Sequence, residues 1–276
     1  MFNDKEKKLL LDLFHLYGPS VREEPVLDFI KSYLEDNKIN YKQDENGNIY
    51  CLNYLNEPLL SAHTDCVGTE EAGHYVSFID LYPYGKDEIL KGIGNIGADD
   101  KCGVFLILLM LKSRQINAVF SVCEEIGGAE GINFLTSHIR DNEVFKSIPY
   151  CLVLDRKNKG DIICSENCYG TKEFENELMK IGKEFGYKPT KGSISDMNTI
   201  RKYMNGCNLS VGYYNPHSNT EFASLNELYN CWKYINKIID ELPRNIKADG
   251  YSETQVSKYY PYYSSKKYDT SSSWDW

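Results

Sequence analysis

The chain of 276 residues is acidic, with 31 Lys and Arg against 40 Asp and Glu and a formal net charge of −9. This charge argues against nucleic acid or an anionic membrane as the main partner, and it favours metal ions and neutral or cationic small molecules. An apolar fraction of 42% with 13% aromatic residues is enough to build a sizeable core. The length suits one large α/β domain or two small ones.

The cysteines and the opening residues indicate a compartment. The chain has 9 cysteines and no CxxC pair, and the nearest two, Cys164 and Cys168, have the wrong spacing for a zinc knuckle. We expect reduced, mostly buried thiols in a cytoplasmic protein. The opening MFNDKEKKLLLDLFHLYG has the pattern of a charged amphipathic helix and not of a secretory signal. The longest apolar run, 104–111, is far shorter than the roughly 20 residues of a membrane span.

The predicted elements begin with two amphipathic helices at 4–17 and 21–36. The second helix would open at a capping box formed by Ser20 and Glu23. A hairpin with Asn-Gly in its turn follows over INYKQDENGNIYCLNY, and then a short apolar strand, EPLLSAHTD. The stretch 66–97 looks variable and gives no predicted element.

From residue 103 onward, strands and helices alternate. Gly103 to Lys112 is apolar on every side, as in a helix buried against a sheet. The elements after it are strand 117–123, helix 129–138, strands 150–155 and 161–165, helices 172–185 and 196–204, strand 207–213, and a helix that runs from a capping box at Ser224 and Glu227 to Pro243. This alternation predicts an α/β fold whose parallel or mixed sheet is covered on both faces by helices. Residues 1–243 would form one domain, and the Tyr-, Ser- and Lys-rich residues 244–276 a flexible tail.

Acids and histidines follow the strands at five places along the chain. They are His63 and Asp65 in LLSAHTD, Asp99 and Asp100 in GNIGADDKCG, Glu124 and Glu125 in VCEEIGG, Asp155 in LVLDRK, and His217 in NPHSNTEF. His63 and Asp65 are two apart at a strand end and face the same way, which suits a metal-binding imidazole and the carboxylate that orients it. Since ligands collect at the carboxyl ends of strands in doubly wound sheets, the five places predict one site. Two imidazoles and several carboxylates suit zinc, manganese or cobalt.

Taken singly, each of these features is more often a structural histidine, a helix cap or a solvated acid pair. Together they resemble the co-catalytic di-zinc exopeptidases, the superfamily of peptidase T and the bacterial leucyl aminopeptidases. HTD, GADDKCG, CEEIG, the strand-end LD and PHSNTEF occur in the order of that family, and GADDKCG followed by EEIGGAEG is the most specific part. The resemblance implies a three-layer α/β/α zinc-exopeptidase fold of the phosphorylase/hydrolase-like type, with a mixed central sheet and helices on both faces.

The resemblance also implies two divalent metal ions, zinc first, with cobalt or manganese as alternatives. Carried over residue by residue, His63 would bind one metal and His217 the other. Asp99 would bridge the two metals, and Glu125 and Asp155 would complete the two sites.

Two further roles follow from the same resemblance. Asp65 would orient His63, and Glu124 would be the general base that takes a proton from a metal-bridging water and hands it to the leaving amine. The peptide bond between Asp99 and Asp100 would be cis.

The implied substrate is a short peptide. Aminopeptidase-type members tend to carry aspartate at the position of Asp155, where carboxypeptidases and deacylases tend to carry glutamate. The expected function is therefore hydrolysis of N-terminal peptide bonds, as an aminopeptidase or a di/tripeptidase. Three alternatives stay open: an N-acyl amino acid amidohydrolase with the same metals, a non-catalytic binding module, and a cysteine hydrolase that uses Cys66, Cys102 or Cys123.

The chain departs from the family in its length. Many relatives insert a lid or dimerisation domain between the equivalents of Asp155 and His217, where this chain has only residues 156–216. The chain therefore resembles a compact form without a lid, and we expect a monomer.

Without a lid, other residues must contact the substrate. By position, Arg156, Tyr213 and Tyr214 are candidates for stabilising the oxyanion, and His74 is a weaker one. SISDMNTI, which contains Asp196, resembles a substrate-side turn of lidded relatives. His15 and His138 lie in predicted helices, and we expect them to be structural.

Overall fold

The computed structural model describes residues 1–68, 75–126, 137–192 and 195–246, and the side chains of 75–77 and 137–138 are left aside. The helices are α1 (Asp4–Phe14), α2 (Glu24–Asp36), α3 (Ala98–Ser113), α4 (Ser137–Arg140), α5 (Glu143–Ser147), α6 (Lys172–Gly182), α7 (Met197–Ile200) and α8 (Leu225–Glu241). The strands are β1 (Lys42–Gln43), β2 (Ile49–Cys51), β3 (Leu59–His63), β4 (Tyr75–Tyr84), β5 (Asp87–Ile93), β6 (Asn117–Ser121), β7 (Tyr150–Arg156), β8 (Asp161–Ile163), β9 (Lys188–Pro189), β10 (Asn205–Ser210), β11 (Tyr213–Tyr214) and β12 (Phe222–Ser224).

An eight-stranded mixed sheet forms the centre, in the order β1-β2-β6-β3-β7-β10-β8-β9. The four middle strands, β6, β3, β7 and β10, run parallel to one another, while β2 and β8 pair antiparallel to them. All residues of β3 and β6 are buried, as expected for parallel strands that are covered on both faces. The predicted mixed sheet is confirmed.

Helices cover both faces of this sheet and give the predicted three layers. One apolar core contains residues of α1, α2, α3, α6 and α8, and a smaller one contains Ile139, Phe145, Ile148, Met197 and Ile200 from the region of α4, α5 and α7. Helix α3 is buried on nearly every side, as the apolar pattern of 103–112 predicts. Among the described residues, no helix is long and apolar enough to cross a membrane.

A second sheet, which the sequence analysis did not predict, has the order β11-β12-β5-β4. Strands β4 and β5 occupy much of the stretch 66–97, where the pairing register shifts between Tyr75 and Asp80. Phe78, on the outer side of β4, is 55% exposed. Because of the shift and the exposed aromatic residue, the period-two pattern of a strand is not visible in the sequence. This sheet positions the site, since β5 leads towards Asp99 and the loop between β11 and β12 carries His217.

The predicted capping box at Ser20 and Glu23 is wrong. Helix α2 begins at Glu24, with no side-chain hydrogen bond at its N-cap and with proline in its first turn. Ser20 Oγ instead donates to Asp65 Oδ2 (2.7 Å), and Glu23 Oε1 accepts from the backbone N–H of Cys123 (2.8 Å). Both polar side chains hold the loops that follow β3 and β6, and proline at the start of the helix is itself favourable there.

The predicted boundary between domain and tail lies at Arg244, which is bound to the domain. Its guanidinium donates to Glu57 Oε2 (2.8 Å) and to the hydroxyl of Tyr150 (3.1 Å), so Arg244 packs against the domain. The remainder of the predicted tail, 247–276, and most of the predicted helix 129–138 lie outside the described residues.

Candidate metal centre

The predicted ligands lie together at one edge of the central sheet, and three of them follow its parallel strands. His63 is the last residue of β3, Glu125 follows β6, and Asp155 lies near the end of β7. Asp99 lies in the first turn of α3, which follows β5 in the chain, and His217 lies in the loop between β11 and β12. Carboxyl ends of neighbouring parallel strands meet at one edge, which brings His63, Glu125 and Asp155 together. The second sheet and its loop add Asp99 and His217 to them.

Asp99 stands between the two histidines. Its Oδ1 is 3.2 Å from His63 Nε2, and its Oδ2 is 3.2 Å from His217 Nε2. Asp155 Oδ1 lies 3.7 Å from the same nitrogen of His63, and Glu125 Oε1 lies 2.7 Å from that of His217. Two groups of donors therefore share one carboxylate. The peptide bond between Asp99 and Asp100 is cis.

The carboxylates of this cluster favour positive charge on the groups between them. Hydrogen bonds from His217 to Asp99 and Glu125 raise the pKa of the imidazole to about 10. Burial by itself would lower the pKa of His63, but its contacts with Asp155 and the other carboxylates outweigh burial, and the pKa lies well above its usual range. Burial likewise opposes ionisation of Asp99, yet the bonds from both histidines hold its pKa below the usual range. The cluster is thus built to surround cations.

The donor set fits divalent metals. Ligand atoms of His63, Asp99 and Glu125 all lie within 4.8 Å of one another, and so do those of His63, Asp100 and Asp155. Imidazole nitrogens and carboxylate oxygens are the donors that zinc, cobalt and manganese take. The described residues therefore contain a cluster that can hold metal.

Asp65 lies beneath this cluster and connects it to the two neighbouring glutamates. His63 Nδ1 is 3.3 Å from Asp65 Oδ1 and 3.0 Å from its backbone oxygen, and the orienting role of Asp65 stays a prediction. The same carboxylate accepts the backbone N–H groups of Glu124 (3.0 Å) and Glu125 (3.1 Å). One buried acid therefore contacts both the imidazole of His63 and the backbone of the Glu-Glu pair.

Glu124 differs from its neighbour in its surroundings. Glu125 faces His217, whereas burial raises the pKa of Glu124 to about 9, against the opposing charge of His63 and with further repulsion from Asp155. Among the described contacts, the one that positions Glu124 is its backbone N–H to Asp65. A partly buried acid in that position can take and release a proton near neutral pH once cations lower its pKa.

No protein-family model matches the sequence, and no curated protein matches it either. Solved structures do match. An aminopeptidase from the archaeon Desulfurococcus kamchatkensis aligns with a TM-score of 0.67 at 16% identity, over 88% of this chain and 96% of that one. A tripeptidase from Staphylococcus aureus aligns with 0.67 at 15% identity, over 87% and 98%. The TET1 peptidase of Pyrococcus horikoshii aligns with 0.65 at 17% identity, over 86% and 100%.

This chain shares the fold of these proteins. The resemblance drawn from the sequence motifs is confirmed at the level of the fold. At such low identity the match concerns the backbone, and the arrangement of side chains in this chain has to carry any statement about chemistry.

Within the peptidase fold, Glu221 is a residue of the site that the sequence analysis missed. Its side chain is buried, and Oε2 accepts the backbone N–H groups of Ile96 and Gly97, both at 2.8 Å. Oε1 accepts the N–H of Asp99 at 3.2 Å. Burial raises the pKa of Glu221 to about 7, although these N–H donors oppose the rise. The residue thus ties the Asp99 turn to the strand that follows the His217 loop, and its presence in PHSNTEF was the available signal.

Glu221→Gln is expected to weaken metal binding by about tenfold or more, since partners that hold ligands typically contribute that much to affinity. The amide nitrogen cannot accept an N–H, so one side of the Asp99 turn loses its acceptor. Titration of the metal-free protein with zinc measures the change.

Glu175→Gln is the matched control for this test. Glu175 is also a buried glutamate that accepts a backbone N–H, from Ser165 at 2.9 Å, but it lies on α6, outside the metal cluster. It should lower thermal stability and leave zinc affinity unchanged. Unchanged affinity in Glu221→Gln would show that Glu221 supports only the fold.

Two of the predicted substrate-binding residues are engaged within the protein. Arg156 Nε lies 3.2 Å from Asp161 Oδ2 on β8. The hydroxyl of Tyr213 is buried and donates to the backbone oxygen of Asp155 at 3.0 Å. Burial holds the pKa of Tyr213 well above its usual range, so this hydroxyl stays protonated. Its observed contact supports the end of β7.

The third, Asp196, lies behind the strand ends. Its Oδ2 accepts the hydroxyls of Ser121 at 2.5 Å and Ser61 at 3.3 Å, and the residue is buried. A substrate role for Arg156, Tyr213 and Asp196 stays a prediction. The hydroxyl of Tyr214 donates to Glu227, and His74 lies outside the described residues.

The remaining histidines and the cysteines behave as packing residues where they are described. His15 Nε2 bonds to the backbone oxygen of Ile79 at 2.9 Å, a structural contact as predicted. All nine cysteines are buried, and none of them forms a disulfide bond. Burial raises the pKa of Cys66 and Cys102, which disfavours the thiolate that a cysteine hydrolase needs.

Proposed function

We propose that the protein is a metal-dependent exopeptidase that removes residues from the free N-terminus of short peptides, with two divalent ions and zinc as the first candidate. One observation carries this proposal: the two oxygens of Asp99 face two different histidines at equal distances of 3.2 Å. A carboxylate shared by two imidazoles from separate elements suits a pair of metals.

The chain offers a separate set of donors for each ion. His63 and Asp155 would hold one metal and His217 and Glu125 the other, with Asp99 common to both. Two divalent metals, when bound, supply Lewis-acid chemistry by lowering the pKa of a water and polarising the scissile carbonyl. Three carboxylates would offset most of the charge of the two cations.

Glu124 would be the general base. Asp65 holds its backbone N–H at 3.0 Å, and repulsion from Asp155 is among the causes that raise its pKa. In this role it takes a proton from the attacking water and gives it to the leaving amine, a transfer that a positioned carboxylate accelerates. Glu125, whose Oε1 is turned to His217, would hold metal instead.

The substrate class rests on charge and on the fold. A site rich in carboxylates attracts the free α-ammonium group of a peptide. The similar structures include a protein named as an aminopeptidase and one named as a tripeptidase, which supports the same class here. The predicted cytoplasmic location and monomeric state stay predictions, and the Pyrococcus horikoshii protein of this fold can assemble into a tetrahedron or a large octahedral shell.

The test is a peptide digest followed by mass spectrometry. Protein loaded with zinc, cobalt or manganese is incubated with free and N-acetylated forms of the same short peptides. We expect loss of single N-terminal residues from the free forms only, and no cleavage after a chelator has removed the metal. Glu124→Gln, purified in the same way, is the control for a contaminating peptidase.

Two outcomes would contradict the proposal. Cleavage of the acetylated peptides would make the protein an N-acyl amino acid amidohydrolase. Cleavage that survives the chelator but is abolished by a thiol reagent would point to a cysteine hydrolase, against the buried thiols described above.

A further inference from the structure

Asp100 is a buried carboxylate with an unused oxygen. The residue is 0% exposed, and its Oδ1 accepts the backbone N–H of Gly103 at 3.0 Å. Its Oδ2 is buried and has no hydrogen-bond partner among the described residues. An unsatisfied, buried carboxylate oxygen is costly and is normally compensated by a cation or a donor.

The absence of a side chain at Gly103 leaves space for the Asp100 carboxylate. A Cβ atom on Gly103 would lie 2.6 Å from each carboxylate oxygen of Asp100 and 2.3 Å from the backbone oxygen of Leu154. Any side chain at this position would collide with both. Glycine therefore allows Asp100 to pack against the end of β7, directly beside Asp155.

The neighbouring positive charges are directed elsewhere. Lys101, the next residue, is buried and donates Nζ to the backbone oxygen of Leu16 at 2.6 Å. Within the described part of the chain, no lysine or arginine forms an ion pair with Asp100. What Asp100 does face is the metal cluster, because one of its oxygens lies within 4.8 Å of ligand atoms of both His63 and Asp155.

We infer that Asp100 is a further carboxylate of the metal centre, with its free oxygen turned to the ion that His63 and Asp155 would hold. The inference rests on the proposed two-metal site and adds a residue to it. Bound metal would compensate the buried charge, and that charge would strengthen binding of this one ion.

Replacing Asp100 by asparagine should have opposite effects on the stability of the metal-free protein and on metal binding. In Asp100→Asn the amide oxygen can still accept the Gly103 N–H, and the neutral amide removes the repulsion between the acids at positions 100 and 155. The metal-free protein should then be at least as stable as wild type. The loaded protein should lose affinity at the site of His63 and Asp155.

The experiment uses full-length protein stripped of metal with a chelator and titrated with zinc. For Asp100→Asn we expect one of the two zinc affinities to fall by about tenfold or more and the other to stay as in wild type. Thermal unfolding should show an equal or higher Tm without metal and a smaller rise in Tm on adding zinc. Cobalt loading gives a second readout, since the absorption spectrum of one site should change.

Two variants control the result. Glu175→Gln removes another buried acid, one that lies on α6 outside the metal cluster, and it should leave both zinc affinities unchanged. Asp100→Ser removes the charge with a smaller side chain, should the asparagine disturb folding. Wild-type zinc affinities in both Asp100 variants would overturn the inference while leaving the two-metal proposal intact. Failure of the wild-type protein to bind zinc would overturn the proposed function itself.

Discussion

Glu124→Gln is expected to lower kcat by about a hundredfold or more while both metals stay bound, as when a general base is removed. The amide has nearly the shape of the acid, and the backbone N–H of residue 124 still has its acceptor in Asp65. Only the ability to take a proton is lost. Steady-state rates on a free tripeptide, together with metal content after gel filtration, measure both halves of the prediction.

Glu125→Gln is the matched control for that result, because it makes the same chemical change one residue later. Glu125 Oε1 lies 2.7 Å from His217 Nε2, so this variant should lose metal and recover part of its activity at high metal concentration. Near-normal turnover in Glu124→Gln would rule out the assigned role. Loss of metal from Glu124→Gln would assign it to binding instead.

Asp99→Asn is expected to abolish activity more completely, by about a thousandfold or more, because both metals depend on this carboxylate. Each oxygen serves a different histidine, and an amide leaves only one oxygen able to act as a ligand. We expect the purified variant to hold fewer than two metals per chain. Elemental analysis and the peptide digest test this directly.

Asp155→Asn distinguishes the loss of a carboxylate shared by two metals from the loss of a ligand to one metal. Asp155 lies near His63 but is not shared with His217, so its loss should weaken one site and leave the other occupied. If Asp99→Asn and Asp155→Asn lost the same metal and the same activity, Asp99 would serve one ion only. The two-metal proposal would then be wrong.

The strand ends and the buried helix could be predicted from local pattern. Strands β3, β6 and β7 are apolar runs that each end at polar residues, and 103–112 is apolar on every side. The parallel sheet and the helix that packs on it can therefore be predicted from the residue types in short segments. The convergence of His63, Glu125 and Asp155 follows from these elements through a general rule of parallel sheets, whereas Asp99 and His217 are brought to them by the second sheet and its loop.

Contacts between segments that are distant in sequence could not be predicted in this way. Ser20 and Glu23 have the spacing of a capping box, but their side chains bind Asp65 and Cys123 instead. A local pattern is only a preference, and a buried acceptor or N–H elsewhere in the chain competes with it. The β4–β5 hairpin was missed for a related reason, since a shifted register removes the alternation by which strands are found.

Residue types and their spacing along single strands and helices were enough to predict the class of fold, the order of the main strands and helices of the central sheet, and the set of residues able to bind metal. Only the tertiary structure decided which oxygen faces which nitrogen. It made Asp99 common to two histidines, placed Glu221 under the Asp99 turn, and left one oxygen of Asp100 without a donor beside His63. These are distances between segments that lie up to 154 positions apart, from His63 to His217, and they are set by packing of the whole domain and not by any local pattern.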